Sequence, residues 1–289
     1  MGQSTRRTFL GATGASLLAG LPAGVPAVLR AATISGLKIG VTDWNLRMTG
    51  QSEAVEMAKK IGFDGVEVSL GRKPVDNRLP LDNDEVQKRY IQEARKHNLH
   101  LAGTCLDILH VNYLKNDKLG QKWVADSIPI TKKLDARVVL LPFFGKGALQ
   151  TTEEMDYVAD ALKDIAPEAE RAGILLGLEN TISAENNVRI LDRVRSKALK
   201  VYYDVGNSTN QGFDVVKEIR WLGRDRICQF HLKDNPNYLG QGKIDFPGVM
   251  KAIADLKFDG FANLETSTPS KSVEADMSKN LQFIRGMMA

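Results

Sequence analysis

Glu179, Asp204, His231 and Glu265 each close, or nearly close, a short apolar run: ILLGLE, LKVYYD, ICQFH and FANLE. They stand 25, 27 and 34 positions apart, room for a strand, a helix and two loops each time. Laid side by side as parallel barrel strands, such runs bring their C-terminal ends to one rim. Three carboxylates and an imidazole meeting there, half buried, are costly unless a cation neutralises them. Each residue alone has a plainer role: a surface carboxylate for Glu179, turn caps for Asp204 and Glu265, a satisfied core imidazole for His231. Four consecutive strand ends that all carry metal-competent groups favour a shared divalent ion. The set is oxygen-rich and has no thiolate, which suits Mn²⁺ first, with Mg²⁺, Co²⁺ or Zn²⁺ as alternatives. Such an ion polarises a sugar carbonyl and its neighbouring hydroxyl, acidifies the adjacent C–H and stabilises the resulting enediolate. A carboxylate beside it is the base. Glu179 and Glu265 lie at the two ends of the ligand row and would address opposite faces of the sugar, which suits epimerisation. A single base carrying the proton between carbons suits aldose–ketose isomerisation.

The elements that must position these groups follow from the alternation of short apolar runs with longer amphipathic ones. Strands are predicted at 37–44, 64–70, 99–108, 136–143, 174–179, 199–205, 226–232 and 260–265. Helices are predicted at 52–61, 83–97, 117–134, 152–172, 184–195, 213–222, 246–257 and 272–287. Ser52 is the expected N-cap of the first helix and Gly62 its stop. Pro167 is expected to kink the fourth. Eight strand–helix units in about 257 residues make a single α/β domain, a TIM (β/α)₈ barrel over residues 33–289. A doubly wound sheet is the structural alternative, but no G-x-G-x-x-G follows an early strand. Gly62-Phe63-Asp64-Gly65 and Lys257-Phe258-Asp259-Gly260 are echoes, each a helix-to-strand turn before a strand.

Residues 1–32 read as an address. Arg6-Arg7 followed by Thr8-Phe9-Leu10, then a Gly/Ala/Leu stretch without an acid, has the form of a twin-arginine (Tat) export signal cleaved near Ala31–Thr33. The implied partner is the Tat export machinery and the implied location the periplasm. The glycines and prolines of this stretch argue against a stable membrane anchor. Formal net charge is +4, and Arg6, Arg7 and Arg30 are the only charges before residue 33, so the remainder is near neutral. That gives no general attraction to nucleic acid or anionic lipid. Cys105 and Cys228 sit in apolar runs and read as buried thiols, with a disulfide not excluded by sequence. The oligomeric state is open, a homo-oligomer included.

Gly177-Leu178-Glu179-Asn180, Tyr203-Asp204-Val205-Gly206-Asn207, Phe230-His231-Leu232-Lys233-Asp234 and Asn263-Leu264-Glu265 resemble the strand ends of the sugar phosphate isomerase/epimerase family, among the xylose-isomerase-like TIM barrels. Gly240–Phe246 resembles that family's loop after strand seven, and Gly62–Glu67 its strand-two turn. The resemblance spans roughly residues 37–285. It implies a metal at Glu179, Asp204, His231 and Glu265, with the two glutamates as acid and base. Related epimerases often carry His where this chain has Asn207. The apurinic-site endonucleases of the same superfamily need more histidines for three zinc ions than the four present here, two of which, His97 and His100, fall on the wrong side of strand three.

Trp44, Glu67, Asp107, His110, Phe143, Asn180, Asn207 and Lys233 fall at or just past predicted strand ends and are candidates for substrate contact. Trp44 or Phe143 would stack on a sugar face, Lys233 would hold an oxyanion or phosphate, and His110 would bind a hydroxyl. No phosphate-cradling glycine loop is present, and an export signal weighs against a phosphorylated substrate. The expected activity is an exported, metal-dependent isomerase or epimerase of a small sugar or keto-sugar. Alternatives are a 3-keto-glycoside lyase or hydrolase sharing the first step, a sugar-binding protein without catalysis, and an endonuclease-like nuclease.

Overall fold

Leucine- and valine-rich runs of four to six residues alternate with amphipathic segments, and each run becomes a strand. The computed structural model describes Ile34 and residues 36–288. The expected export signal at 1–32 lies outside the described residues. The strands are β1 (Lys38–Thr42), β2 (Gly65–Ser69), β3 (His100–Cys105), β4 (Val138–Pro142), β5 (Leu175–Glu179), β6 (Leu199–Asp204), β7 (Ile227–Leu232) and β8 (Phe261–Leu264). All pair in parallel with their sequence neighbours, and β1 also pairs with β8, so the sheet closes on itself. Closure rules out the doubly wound sheet. The helices are α1 (Ala54–Ile61), α2 (Asp84–His97), α3 (Lys118–Lys133), α4 (Thr152–Ala172), α5 (Ala184–Val194), α6 (Val205–Asn210), α7 (Val215–Arg226), α8 (Phe246–Asp255) and α9 (Val273–Gly286).

Strands and helices bury one large apolar core between them, with Val41, Val66, Leu141, Leu178, Phe230 and Leu264 on the sheet side. A smaller cluster of Cys105, Val138, Leu140, Tyr202 and Cys228 is separate from it. Both cysteines are buried and free.

Local chemistry sets the element ends. Asn83, Asp117, Thr151, Ser183, Asp214, Asp245 and Ser272 each accept a backbone N–H in the first turn of the following helix. Ser52 does not: Glu53 stands at the N-cap of α1, with no side-chain cap. Gly62 ends α1 in the left-handed conformation at φ 108°, as expected. Its echo, Lys257, takes φ 51° without being a glycine. Helix α4 runs through Pro167 as one 21-residue element. The six-residue α6, starting directly after Asp204, is missed by periodicity because it is too short for a stripe. Among the described residues no helix is long and apolar enough to cross a membrane.

Candidate metal centre and active site

Glu179 and Asp204 are the last residues of β5 and β6, His231 is the next to last of β7, and Glu265 follows β8 by one residue. Parallel pairing in register puts Asp204 beside His231 and His231 beside Asn263, so the three ends stay level. One ligating atom from each of the four lies within 4.8 Å of every other. His231 Nδ1 is 2.9 Å from Glu179 Oε1, 3.5 Å from Glu265 Oε2 and 3.7 Å from Asp204 Oδ2. Glu179, Asp204 and His231 are buried, and the Glu265 side chain is one-fifth exposed.

Each group has a second tie that orients it. Asp204 Oδ1 accepts Asn207 N–H at 2.7 Å and so caps α6. Its Oδ2 is buried without a hydrogen bond, although Lys233 Nζ stands 2.7 Å away as an ion pair. Lys233 also donates to Glu265 Oε2 at 2.5 Å, and Trp44 Nε1 donates to Glu265 Oε1 at 3.1 Å. Asn207 Nδ2 reaches Glu179 Oε1 at 3.4 Å.

Burial and neighbouring charge pull these groups apart in acidity. Burial, then the carboxylates of Glu179 and Glu265, raises Asp204 to about 7 against the pull of Lys233. Burial would also raise Glu265, but His231 and Lys233 outweigh it and hold Glu265 at about 2. Burial opposes a charged His231, yet Glu179, Glu265 and Glu67 together keep its pKa well above the ordinary value. Lys233 is likewise raised, with Asp204 and Glu265 overcoming burial. Three oxygen donors and one nitrogen within reach of one centre fit a divalent cation. Glu179, Asp204, His231 and Glu265 would hold it.

Above the cluster opens a cavity of about 450 Å³ walled by Trp44, Asn207, Lys233, Glu179 and Glu265 on one side. Ser69, Arg72, Asp107, His110 and Phe144 wall the other. A second cavity of about 450 Å³ shares Asn207 and Lys233 and runs toward Asn235 and Lys243. A further groove, about 730 Å³ between α7 and the loop after β7, contains none of the cluster residues. Trp44 meets the His231 ring edge-on at 6.0 Å, and His110 stacks with Phe144 at 6.1 Å.

Three expected substrate contacts are corrected. Glu67 is fully buried below the cluster and borders no part of the cavity. Asn180 is buried and spends its amide on Asn187 Oδ1 and the Ile182 N–H, tying β5 to α5. Phe143 packs into the core, and its neighbour Phe144 faces the cavity instead. His97 and His100 sit at the end of α2 and the start of β3, at the opposite end of the strand from the cluster.

Sequence reading missed the polar layer under the ligands. Tyr202, Gln229 and Asn263 stand two residues before Asp204, His231 and Glu265, and period-two alternation puts them on the same strand face one level down. That spacing was the available signal. Asn263 Nδ2 contacts Gln229 Oε1 at 3.0 Å and Tyr202 Oη at 2.7 Å. The residue two before Glu179 is Gly177, where a Cβ would meet Cys228 Sγ at 2.8 Å and Tyr202 Cβ at 3.1 Å. Only a glycine leaves room there for the tyrosine.

The sequence matches the family described as xylose isomerase-like TIM barrel over residues 55–287. It is 26% identical over 203 residues to a 2-epi-5-epi-valiolone 7-phosphate 2-epimerase of Actinoplanes sp., covering 69% of this chain and 73% of that one. The fold is that of a D-psicose 3-epimerase from Clostridium cellulolyticum H10 determined with D-tagatose. That likeness has a TM-score of 0.73, 17% identity, and covers 87% of this chain and 99% of that one. A 3-keto-D-glucoside 4-epimerase from E. coli superposes with a TM-score of 0.68 at 16% identity, over 86% and 99% of the two chains. A closed eight-stranded parallel barrel, an acidic cluster with one histidine at its C-terminal rim, and a family match across most of its length together place this chain in the xylose isomerase-like TIM barrel family.

Proposed function

We propose that this protein is an exported, metal-dependent epimerase of a small ketose or keto-sugar, working by removal and return of a proton next to a carbonyl. The observation that carries this reading is the convergence of four ligating atoms within 4.8 Å beneath a cavity that Glu179 and Glu265 both border. The epimerase relatives supply the reaction class: they are named for a valiolone phosphate, D-psicose and a 3-keto-D-glucoside. Mn²⁺ is the proposed ion, with Mg²⁺, Co²⁺ or Zn²⁺ able to replace it. When bound, it would act as a Lewis acid on the carbonyl and lower the pKa of the neighbouring C–H.

The chain's own residues do the rest. Glu265 borders the cavity and is aimed by Trp44 and Lys233, which places its carboxylate to accept the proton. Glu179 lies against the same His231 nitrogen, Nδ1, and borders the cavity with Glu265, and it is the group assigned to return the proton. Lys233, an ammonium beside Glu265, is positioned to stabilise negative charge on the substrate oxygen. Trp44 and Phe144 offer aromatic faces, and Asp107, His110 and Ser69 offer hydrogen bonds to hydroxyls at the far wall.

The test is incubation of the Mn²⁺-loaded protein with D-psicose, D-tagatose and a 3-keto-glucoside in D₂O. The expected result is deuterium on the carbon beside the carbonyl together with the inverted epimer by NMR. Release of the aglycone would convert the reading to a lyase, and absence of exchange with every compound would overturn it.

A further inference from the structure

We propose that Glu67 is a positioning residue for the metal centre: it holds the His231 ring with Nδ1 turned to the ligand cluster, and Tyr202 and Asn263 hold Glu67 in turn. This rests on the metal reading above. His231 Nε2 is 2.8 Å from Glu67 Oε2 on the side of the ring away from Glu179. With Nε2 kept as the donor to a carboxylate, Nδ1 is the nitrogen that would give up its proton to take an ion.

The same oxygen, Glu67 Oε2, receives Tyr202 Oη–H at 2.8 Å and Asn263 Nδ2 at 3.2 Å. Glu67 Oε2 is thus held by His231 and Tyr202, with Asn263 Nδ2 sharing its two hydrogens among this oxygen, Tyr202 Oη and Gln229 Oε1, while Glu67 Oε1 is buried without a hydrogen bond. The chain of contacts continues from Asn263 to Gln229 Oε1 and from Gln229 Nε2 to the Ala102 carbonyl at 2.5 Å, so it ends on backbone. Its anchors coincide with irregularities of the sheet. The β2–β3 register slips between Val66 and Glu67, leaving Ala102 unmatched, and the β6–β7 register slips between Val201 and Tyr202, leaving Cys228 unmatched. Bulges re-aim neighbouring side chains, and here they flank Glu67 and Tyr202. Glu67 is fully buried and has no access to the cavity, so neither substrate contact nor solubility accounts for it. As core filling, a carboxylate is inferior to an apolar side chain of like size.

The test uses the full chain, stripped by chelation, as wild type, Glu67→Gln, Tyr202→Phe and His231→Ala. Mn²⁺ affinity is measured by competition with a chromophoric chelator, the Co²⁺ absorption spectrum is recorded, and the melting temperature without metal is the folding control. Glu67→Gln is expected to weaken Mn²⁺ by about 10- to 100-fold and to shift the Co²⁺ bands. Tyr202→Phe should move both in the same direction by less, and it carries the test should Glu67→Gln not fold. Adding Glu67→Gln to His231→Ala should cost no further affinity. Affinity within twofold of wild type and an unchanged Co²⁺ spectrum in the folded single variants would overturn the proposal, whatever their melting temperatures, because a purely structural residue moves only those. An additional loss in the His231→Ala background would also overturn it, since Glu67 would then act by another route. Failure of the wild type itself to bind Mn²⁺, Mg²⁺, Co²⁺ or Zn²⁺ would instead remove the metal reading on which this rests.

Discussion

His231 offers two ring nitrogens, and the barrel hands each to a different neighbour: carboxylates at the rim on one side, Glu67 in the interior on the other. Its loss therefore has two consequences. His231→Ala is expected to lower bound metal measured by elemental analysis. It also leaves the buried Glu67 side chain without its His231 partner, a loss of roughly 1–3 kcal/mol for an unpaired buried polar group that would show as a lower denaturation midpoint. Glu265 makes a narrower prediction. Glu265→Gln keeps the size and the hydrogen bond from Trp44 but removes the proton acceptor. Turnover should fall by about 10²- to 10⁴-fold with the circular dichroism spectrum retained. Activity close to wild type would remove Glu265 as the base.

At the level of strands and loops, precision comes from where side chains are missing as much as from where they are present. On β1, Gly40 packs against Asn263, and a Cβ there would overlap the amide oxygen of Asn263. Gly40→Ala must displace a buried side chain that contacts Glu67, Tyr202 and Gln229. A loss of about 1–3 kcal/mol in urea unfolding is expected, as for overpacked cores generally. The loop after β7 is pinned by one carboxylate: Asp234 accepts the N–H groups of Gly240, Gly242 and Lys243. Because that loop adjoins the second cavity beside Lys233, Asp234→Ala should raise KM more than it lowers kcat. Steady-state kinetics on the epimerised sugar would check this; an unchanged KM would show the loop to be remote from substrate.

For the whole molecule, the barrel carries a buried acid whose ionisation opposes folding. Asp43 ends beneath the β1–α1 loop, accepts N–H from Ser69 at 3.1 Å and Gly50 at 3.3 Å, and is fully buried. Burial, reinforced by the charges of Asp107 and Glu67, lifts its pKa from 3.8 to about 8 despite those two hydrogen bonds. Between these values the folded chain keeps a proton that the unfolded chain releases. Its contribution to stability is thus complete below about pH 4, declines as pH rises toward 8 with a slope of about one proton per pH unit, and is constant beyond. Asp43→Asn should flatten that slope and gain most over wild type above pH 8. Equal slopes for the two proteins in denaturant titrations from pH 5 to 8 would refute it.

The order of elements, the barrel and the four ligand candidates were legible in the chain because they depend on local patterns. Short apolar runs separated by helical stripes form a repeating strand–helix unit, and a polar residue closing each run marks a rim. Glu67, Asn180 and Phe143 were misplaced because a residue near a strand end can turn to the cavity, the interior or the helix layer, and one residue of register decides which. Tyr202, Gln229 and Asn263 passed unnoticed, though their place two residues before each ligand set them on the same face. What only the tertiary structure decided is which of these groups touch. Bulges at Ala102 and Cys228 shift the register by a residue, and contacts such as that between Glu67 and Tyr202 join positions 135 apart in the chain. No local pattern encodes such a pairing. It exists only once the sheet closes and forces polar side chains from separate strands into one interior, where they pair with one another across the barrel.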